Sequence, residues 1–135
     1  MKKRVLIIVC LVILSSFVLG GKYLMVVQDY KDQVAAIKIG DINLAEVSDG
    51  SYIGNYDVSI IKAEVKVDVI DHKIMNIELI KHENGKGESA ESIIPQVIEA
   101  QSVQVDTISG ATNSSKVILK SIELALESGI SPVMA

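Results

Sequence analysis

One cysteine stands in the 135 residues, at position 10. From residue 22 onward there is none, which excludes a disulfide framework and thiol chemistry over that stretch. Histidine is nearly as scarce, with only His72 and His82. Without cysteine beside them they form no Cys/His set, and no metal site is expected. No G-x-S-x-G elbow, no phosphate-cradling P-loop and no G-x-G-x-x-G dinucleotide fingerprint occurs. Internal repeats and low-complexity tracts are also missing. Positive charge is short beyond the N-terminus: apart from Lys2, Lys3 and Arg4, ten Lys and Arg face 17 Asp and Glu, a net charge of −7. That balance argues against a nucleic-acid partner and against docking on an anionic membrane surface. The length leaves room for one small domain.

What is present begins with "MKKRVLIIVCLVILSSFVLGGKYLMVV". Three basic residues precede an uncharged run from Val5 to Gly21, and after Lys22 the apolar run resumes over Tyr23 to Val27. A spanning helix needs about 20 apolar residues. The run supplies them if Lys22 snorkels to the interface. A cleaved signal peptide needs a small-x-small exit, which Val18-Leu19-Gly20 and Leu19-Gly20-Gly21 match poorly. Residues 1–27 therefore read as an uncleaved membrane anchor, with a cleaved signal as the alternative. Cys10 reads as an apolar membrane residue; it comes too early, and follows too bulky a residue, to be a lipidation site. The positive-inside rule keeps residues 2–4 in the cytoplasm. The remainder is then expected on the extracytoplasmic side of the cell membrane, single-pass, or secreted if the signal is cut.

Residues 28–43 read as a stalk or linker with Gly40 as a stop, 44–129 as the domain, and 130–135 as a tail. "SDGSYIGNY" is a turn entering a strand. Ala63, Val65, Val67 and Val69 then alternate with Glu64, Lys66 and Asp68. Met75, Ile77 and Leu79 alternate with Asn76 and Glu78 beyond the short polar turn Asp71-His72-Lys73. Two period-two runs around a short turn predict an antiparallel hairpin. Ile93, Ile94, Val97, Ile98 and Gln101 fall at helical spacing, with Pro95 in the first turn where its missing N–H costs nothing. Val117, Ile118, Ser121, Ile122 and Ala125 form the stripe of a last helix, which Gly129 ends and Pro132 follows. The expected class is α+β: a small antiparallel, hairpin-based sheet with packed helices, preceded by one N-terminal membrane helix.

The chemistry concentrates in "VDTISGATNSSK", residues 105–116. Read for structure alone, Asn113, Ser114 and Ser115 lead into a helix whose N-terminus is rich in capping residues. A single cap needs only one of them. No Glu or Gln occupies the capping-box position after Thr112 or Ser114. Gly110 and Ala111 remove bulk around the Thr112 hydroxyl, and a helix N-terminus behind it is an anion site.

The run D-x-x-S-G-A-T resembles the flavinylation motif of the FMN-binding domain family. That family includes the extracytoplasmic FMN-carrying subunits of sodium-pumping NADH:quinone oxidoreductase and of the related ferredoxin-linked complex. The resemblance covers roughly residues 44–127, through "DGSYIGNY", "VKVDVIDHKIMNIELIKHENGKGESAE" and "VIEAQSVQVDTISGATNSSKVILKSIELAL". It implies that FMN is joined through its phosphate to Thr112 by a separate flavin transferase, and that phosphate would lie within reach of the N–H groups of Asn113, Ser114 and Ser115. That enzyme takes FAD as donor, uses a divalent metal ion and releases AMP. Ser109, Gly110 and Ala111 complete the motif core. Asp106 would belong to the sequence that the transferase recognises; a turn-forming Asp is the equal alternative. Larger family members carry a Thr-Pro-Gly-type loop along the flavin, where this chain has Asn84-Gly85-Lys86-Gly87. Gly85 and Gly87 still permit close backbone approach. His82, which opens that loop, reads as an exposed loop histidine or a flavin neighbour. Tyr52 and Tyr56 read as packing on the hairpin in preference to covering the flavin.

The expected function is a membrane-anchored extracytoplasmic flavoprotein that relays electrons, a carrier more than an independent enzyme. Membrane quinol or a dehydrogenase are candidate electron donors. The rival readings are a non-redox structural or binding subunit of a membrane complex, and non-covalent FMN binding.

Overall fold

The computed structural model describes residues 1–83 and 87–130. The chain forms two compact units, Met1–Gln33 and Val34–Ala135. The first lies within helix α1 (Lys2–Ala36), whose most apolar window has a mean hydropathy of 2.5 and no residue buried. By length and composition this helix can cross a membrane.

In the second unit the order is β1 (Gly50–Asp57), β2 (Lys62–Ile70), β3 (Lys73–Glu83), α2 (Ile93–Ala100) and α3 (Thr112–Ser128), with short 3-10 turns at Leu44–Glu46 and Glu88–Ser92. The expected α+β class holds. The sheet is antiparallel, three-stranded and ordered β1-β2-β3. The hairpin between β2 and β3 closes through Asp71 and His72, both with positive φ (52° and 59°). Two left-handed residues in succession suit a two-residue hairpin loop, because their twist matches the strands. His72 is fixed in that loop: its Nδ1 donates to the Val47 carbonyl at 2.9 Å.

The inner face of β2 is Ala63, Val65, Val67 and Val69, all buried, as the alternation predicts. Strand β3 departs from it. Its register steps from Asp68↔Asn76 to Val69↔Ile74, and from Glu64↔Lys81 to Val65↔Leu79. Met75 and Ile80 are thus extra residues, each a β-bulge that switches which face the following side chain takes. Ile74, not Met75, enters the core (1% against 57% exposed). Beyond the second bulge His82 turns inward, opposite Ala63. The outer face is polar. Lys66 pairs with Glu78 at 3.2 Å and Lys62 with Asp57 at 3.1 Å. Lys62 and the Ser59 amide hold the Asp57 carboxyl below its usual range.

Helix α3 covers the inner face with Val117, Ile118, Ile122, Ala125 and Leu126 buried. It comes closest at Gly54. A Cβ there would stand 1.9 Å from the Ser121 carbonyl oxygen and 2.6 Å from the Ala125 nitrogen. The buried Ser121 hydroxyl donates to the Ala63 carbonyl (3.1 Å) and the Val117 carbonyl (2.8 Å). At the C-terminal end, Tyr52 lies over Gly129 and donates from its hydroxyl to the Ser48 carbonyl at 2.7 Å. The side chain of Gln101, the left-handed residue that ends α2, accepts from Ile74 N–H and donates to Ile74 C=O, both at 2.8 Å.

Residues 34–43 are part of this unit and more than a linker. Val34 and Ile37 are buried. Lys120 Nζ donates to the Lys38 carbonyl at 3.2 Å, and Gln104 Nε2 donates to the carbonyls of Ile39 and Gly40, each at 2.9 Å. The Glu123 carboxylate, 4% exposed, pairs with Lys120 at 3.1 Å against Gly40. Helix α1 ends at Ala36, before Gly40, which is instead where the chain passes the buried carboxylate.

Two outcomes follow from this packing. Gly54→Ala is expected to lower the unfolding free energy by about 1–3 kcal/mol, or to prevent folding, because backbone cannot yield as a side chain can; urea denaturation monitored by circular dichroism measures it. A chain starting at Leu44 is expected to melt below one starting at Val34, since it loses Val34, Ile37 and the partners of Gln104 and Lys120. Equal melting temperatures would show that residues 34–43 contribute nothing.

Candidate functional site

The motif turn precedes α3. Ala111 N–H donates to Ile108 C=O at 3.0 Å, closing a turn with Gly110 in its third position. Gly110 has a φ of 78°, the left-handed value that a type II turn needs there. A Cβ on Gly110 would meet nothing within 4 Å, so this glycine is needed for its backbone angle, and the space above it is open. Ala111 is buried, so its small side chain serves the packing beneath the turn.

The helix begins one residue before the expected Asn113. Thr112 is its first residue, and Ala111 holds the N-cap position without a side-chain bond. The capping surplus therefore does not cap in the usual sense. Ser115 works backwards instead: its hydroxyl accepts from Ile108 N–H at 3.0 Å and donates to Ala111 C=O at 2.8 Å. Its own N–H makes the helix's first bond, to Ala111 C=O at 2.9 Å. The Ser115 amide is thus spent, which corrects the expectation that it faces a phosphate. Ser114 and Ser115 are both buried, whereas Asp106, Ser109, Gly110, Thr112 and Asn113 are exposed. Of the serine and threonine side chains at 105–116, only Ser109 and Thr112 are fully at the surface. The amides of Thr112 and Ser114 precede the first intrahelical bond, in the place where helix N-termini receive anions.

Asp106 makes no hydrogen bond with the described residues. The turn lies further along, at 108–111, so the turn-forming reading of Asp106 does not hold. Asp106 instead edges an open groove of about 480 Å³ between α2 and the following loop, lined also by Gln96, Glu99, Ala100, Gln104 and Val105.

His82 is not an exposed loop residue. Its side chain is 3% exposed, and its Nδ1 lies 3.0 Å from Glu91 Oε1 in the 88–92 turn. Nothing in the sequence pattern points to Glu91, because a pair across a loop has no periodic signature. Gly87 is buried, and its carbonyl accepts from Ala90 N–H at 2.9 Å. Gly85 lies outside the described residues, as do Asn84 and Lys86. Strands β1 and β3 run in one direction and α3 runs back along β1, from Thr112 to the contact of Gly129 with Tyr52. The end of β3 with His82 and the start of α3 with Thr112 therefore share one end of the domain. Tyr52 belongs to the other: α3 has 17 residues and spans about 25 Å. Tyr56, half-buried, stands in the row Tyr56–Ala63–His82.

The domain is an antiparallel sheet covered on one face by a helix, with an exposed threonine on an open glycine turn at the helix start. The family model described as the FMN-binding domain matches residues 59–127, half of the chain. The protein belongs to that family, and FMN is the cofactor that membership assigns. Comparison with curated proteins gives no match. The exposed Thr112, the open space over Gly110 and the N-terminal amides of α3 suit the phosphate of such a cofactor.

Two substitutions separate the parts of the turn. Gly110→Ala is expected to cost about 1–2 kcal/mol, through the left-handed φ alone. Ser115→Ala strands the Ile108 N–H and is expected to cost about 1–3 kcal/mol. Thermal and urea unfolding measure both, and a Gly110→Asn variant should recover part of the first loss.

Proposed function

We propose that the protein is an extracytoplasmic flavin carrier, anchored by α1, with FMN attached covalently through its phosphate to Thr112. The observation that carries this reading is the sorting of hydroxyls in the motif. Thr112 stands outward at the first position of α3, while Ser114 and Ser115 are turned into the domain. A transferase approaching this surface meets Thr112 and Ser109 and no other fully exposed hydroxyl of the stretch. Bound FMN supplies the redox chemistry, accepting and returning electrons.

The chain's own residues prepare the attachment. Gly110 bends the backbone away and leaves the approach open. Ser115 pins the turn from beneath and so steadies the backbone that carries Thr112. In the attachment step, Thr112 Oγ displaces AMP from FAD. A bond forms from Oγ to the FMN phosphorus, the diphosphate bond breaks, and AMP leaves with the proton that the hydroxyl loses. The product phosphodiester keeps one negative charge, and the α3 N-terminus favours it over a neutral group. A covalent tether suits a compartment with no flavin pool to replace a lost cofactor. Membrane quinol or a dehydrogenase would feed the flavin, and a soluble acceptor or a neighbouring subunit would drain it.

Intact-mass measurement of protein from its native membrane tests the attachment. The expected gain is one FMN less one water, absent from Thr112→Ala and retained by Ser109→Ala. A flavin that persists on Thr112→Ala, or a chain that carries none at all, sinks the reading.

A further inference from the structure

We infer that Lys116 binds the phosphate of FMN attached at Thr112, one helical turn away, and so gives the cofactor a second hold on the protein. The inference rests on Thr112 being the attachment site. Its starting point is the outer seam of α3. Between Thr112 and Ser121 only Thr112, Asn113, Lys116 and Lys120 reach the surface. Thr112, Lys116 and Lys120, spaced by four, form one row along it. Lys120 is taken up by Glu123 and the Lys38 carbonyl. Lys116 has no hydrogen bond or ion pair with the described residues.

The helix itself offers Lys116 no anion. The residues three and four positions on are Leu119 and Lys120, and those three and four back are Asn113 and Thr112. Lys120, a like charge one turn on, is an unfavourable neighbour. The first turn of α3 holds no acid, although the chain has 17 acidic residues against 13 basic ones. A cation near the positive end of a helix gains nothing from the macrodipole. Elsewhere in the domain Lys62, Lys66, Lys81 and Lys120 each hold a carboxylate. Lys73 does not, but it starts β3, at the end away from His82 and Thr112. A phosphodiester on Thr112 supplies the anion that Lys116 lacks. Residues four apart on a helix stand about 5–6 Å apart at Cβ. Long helical side chains lean back over the preceding turn, which for Lys116 is the turn of Thr112. An anion placed four residues before its cation is also the more stabilising order. One ester bond leaves the cofactor free to swing on the threonine side chain. A charge-assisted bond from Lys116 to the same phosphate limits that swing.

The test compares the full-length chain in detergent with and without its attached flavin. Brief acetylation of amines, read by peptide mass spectrometry, reports how free each lysine is. Flavinylation is expected to lower labelling of Lys116 about threefold, as an ion pair formed about two-thirds of the time would, and to leave Lys73 unchanged. Phosphorus NMR of the flavinylated protein reads the phosphate itself. Lys116→Gln is expected to move its resonance, Lys116→Arg, which keeps the charge, to move it less, and Lys73→Gln to leave it in place. Melting temperatures confirm that each variant folds. Equal labelling of Lys116 with and without flavin overturns the pairing, and the Thr112 assignment stands. A protected Lys116 whose Gln variant leaves the phosphorus resonance unmoved also overturns it, because the flavin then only covers the lysine. If the wild type gains no flavin, the Thr112 assignment itself fails and takes the role of Lys116 with it.

Discussion

The close approach of α3 to β1 at Gly54 fixes the rest of the domain. The helix backbone occupies the volume of an absent side chain, so its distance from the sheet and its crossing point are both set there. The buried Ser121 hydroxyl bonds the neighbouring strand and removes the freedom to slide. From that seat the helix reaches Gly129 and Tyr52 in one direction and Thr112 in the other. The nine residue steps from Ser121 back to Thr112 make about 13 Å, so the motif turn is held at a fixed distance from a fixed point. For a domain of the FMN-binding family, that fixes the surface around Thr112 relative to the sheet.

The motif divides its small residues by direction. Gly110 supplies an angle, Ala111 fills space below, and Ser115 ties both ends of the turn to the helix. Thr112 is left outward. A stretch that reads as uniformly hydroxyl-rich is, in the fold, two buried serines beneath two exposed hydroxyls, those of Ser109 and Thr112.

The sequence made the α+β class, the hairpin, the two domain helices and the motif legible, because each rests on periodicity or on a dense local pattern. Three things were hidden. The bulges at Met75 and Ile80 break the period that the reading of β3 relied on, so Ile74 and His82 take the inward places and Met75 faces out. The attachment of residues 37–40 to α3 and Gln104 is long-range, and nothing within "AAIKIGD" announces it. The role of Ser115 was legible as to residue type and not as to direction, since a serine near a helix start ordinarily bonds forward as a cap.

Strand β3 is an outer strand of the sheet, and an uncovered outer strand offers its free backbone groups as a template to any passing extended chain. Here the row is interrupted. Both polar groups of Ile74 are taken by the Gln101 amide, which pairs with them as a neighbouring strand would. The bulges at Met75 and Ile80 then break the spacing within a strand of 11 residues. A regular ladder along this edge is interrupted at both places. The irregularities that turn His82 inward are thus also what blunts this edge as a template.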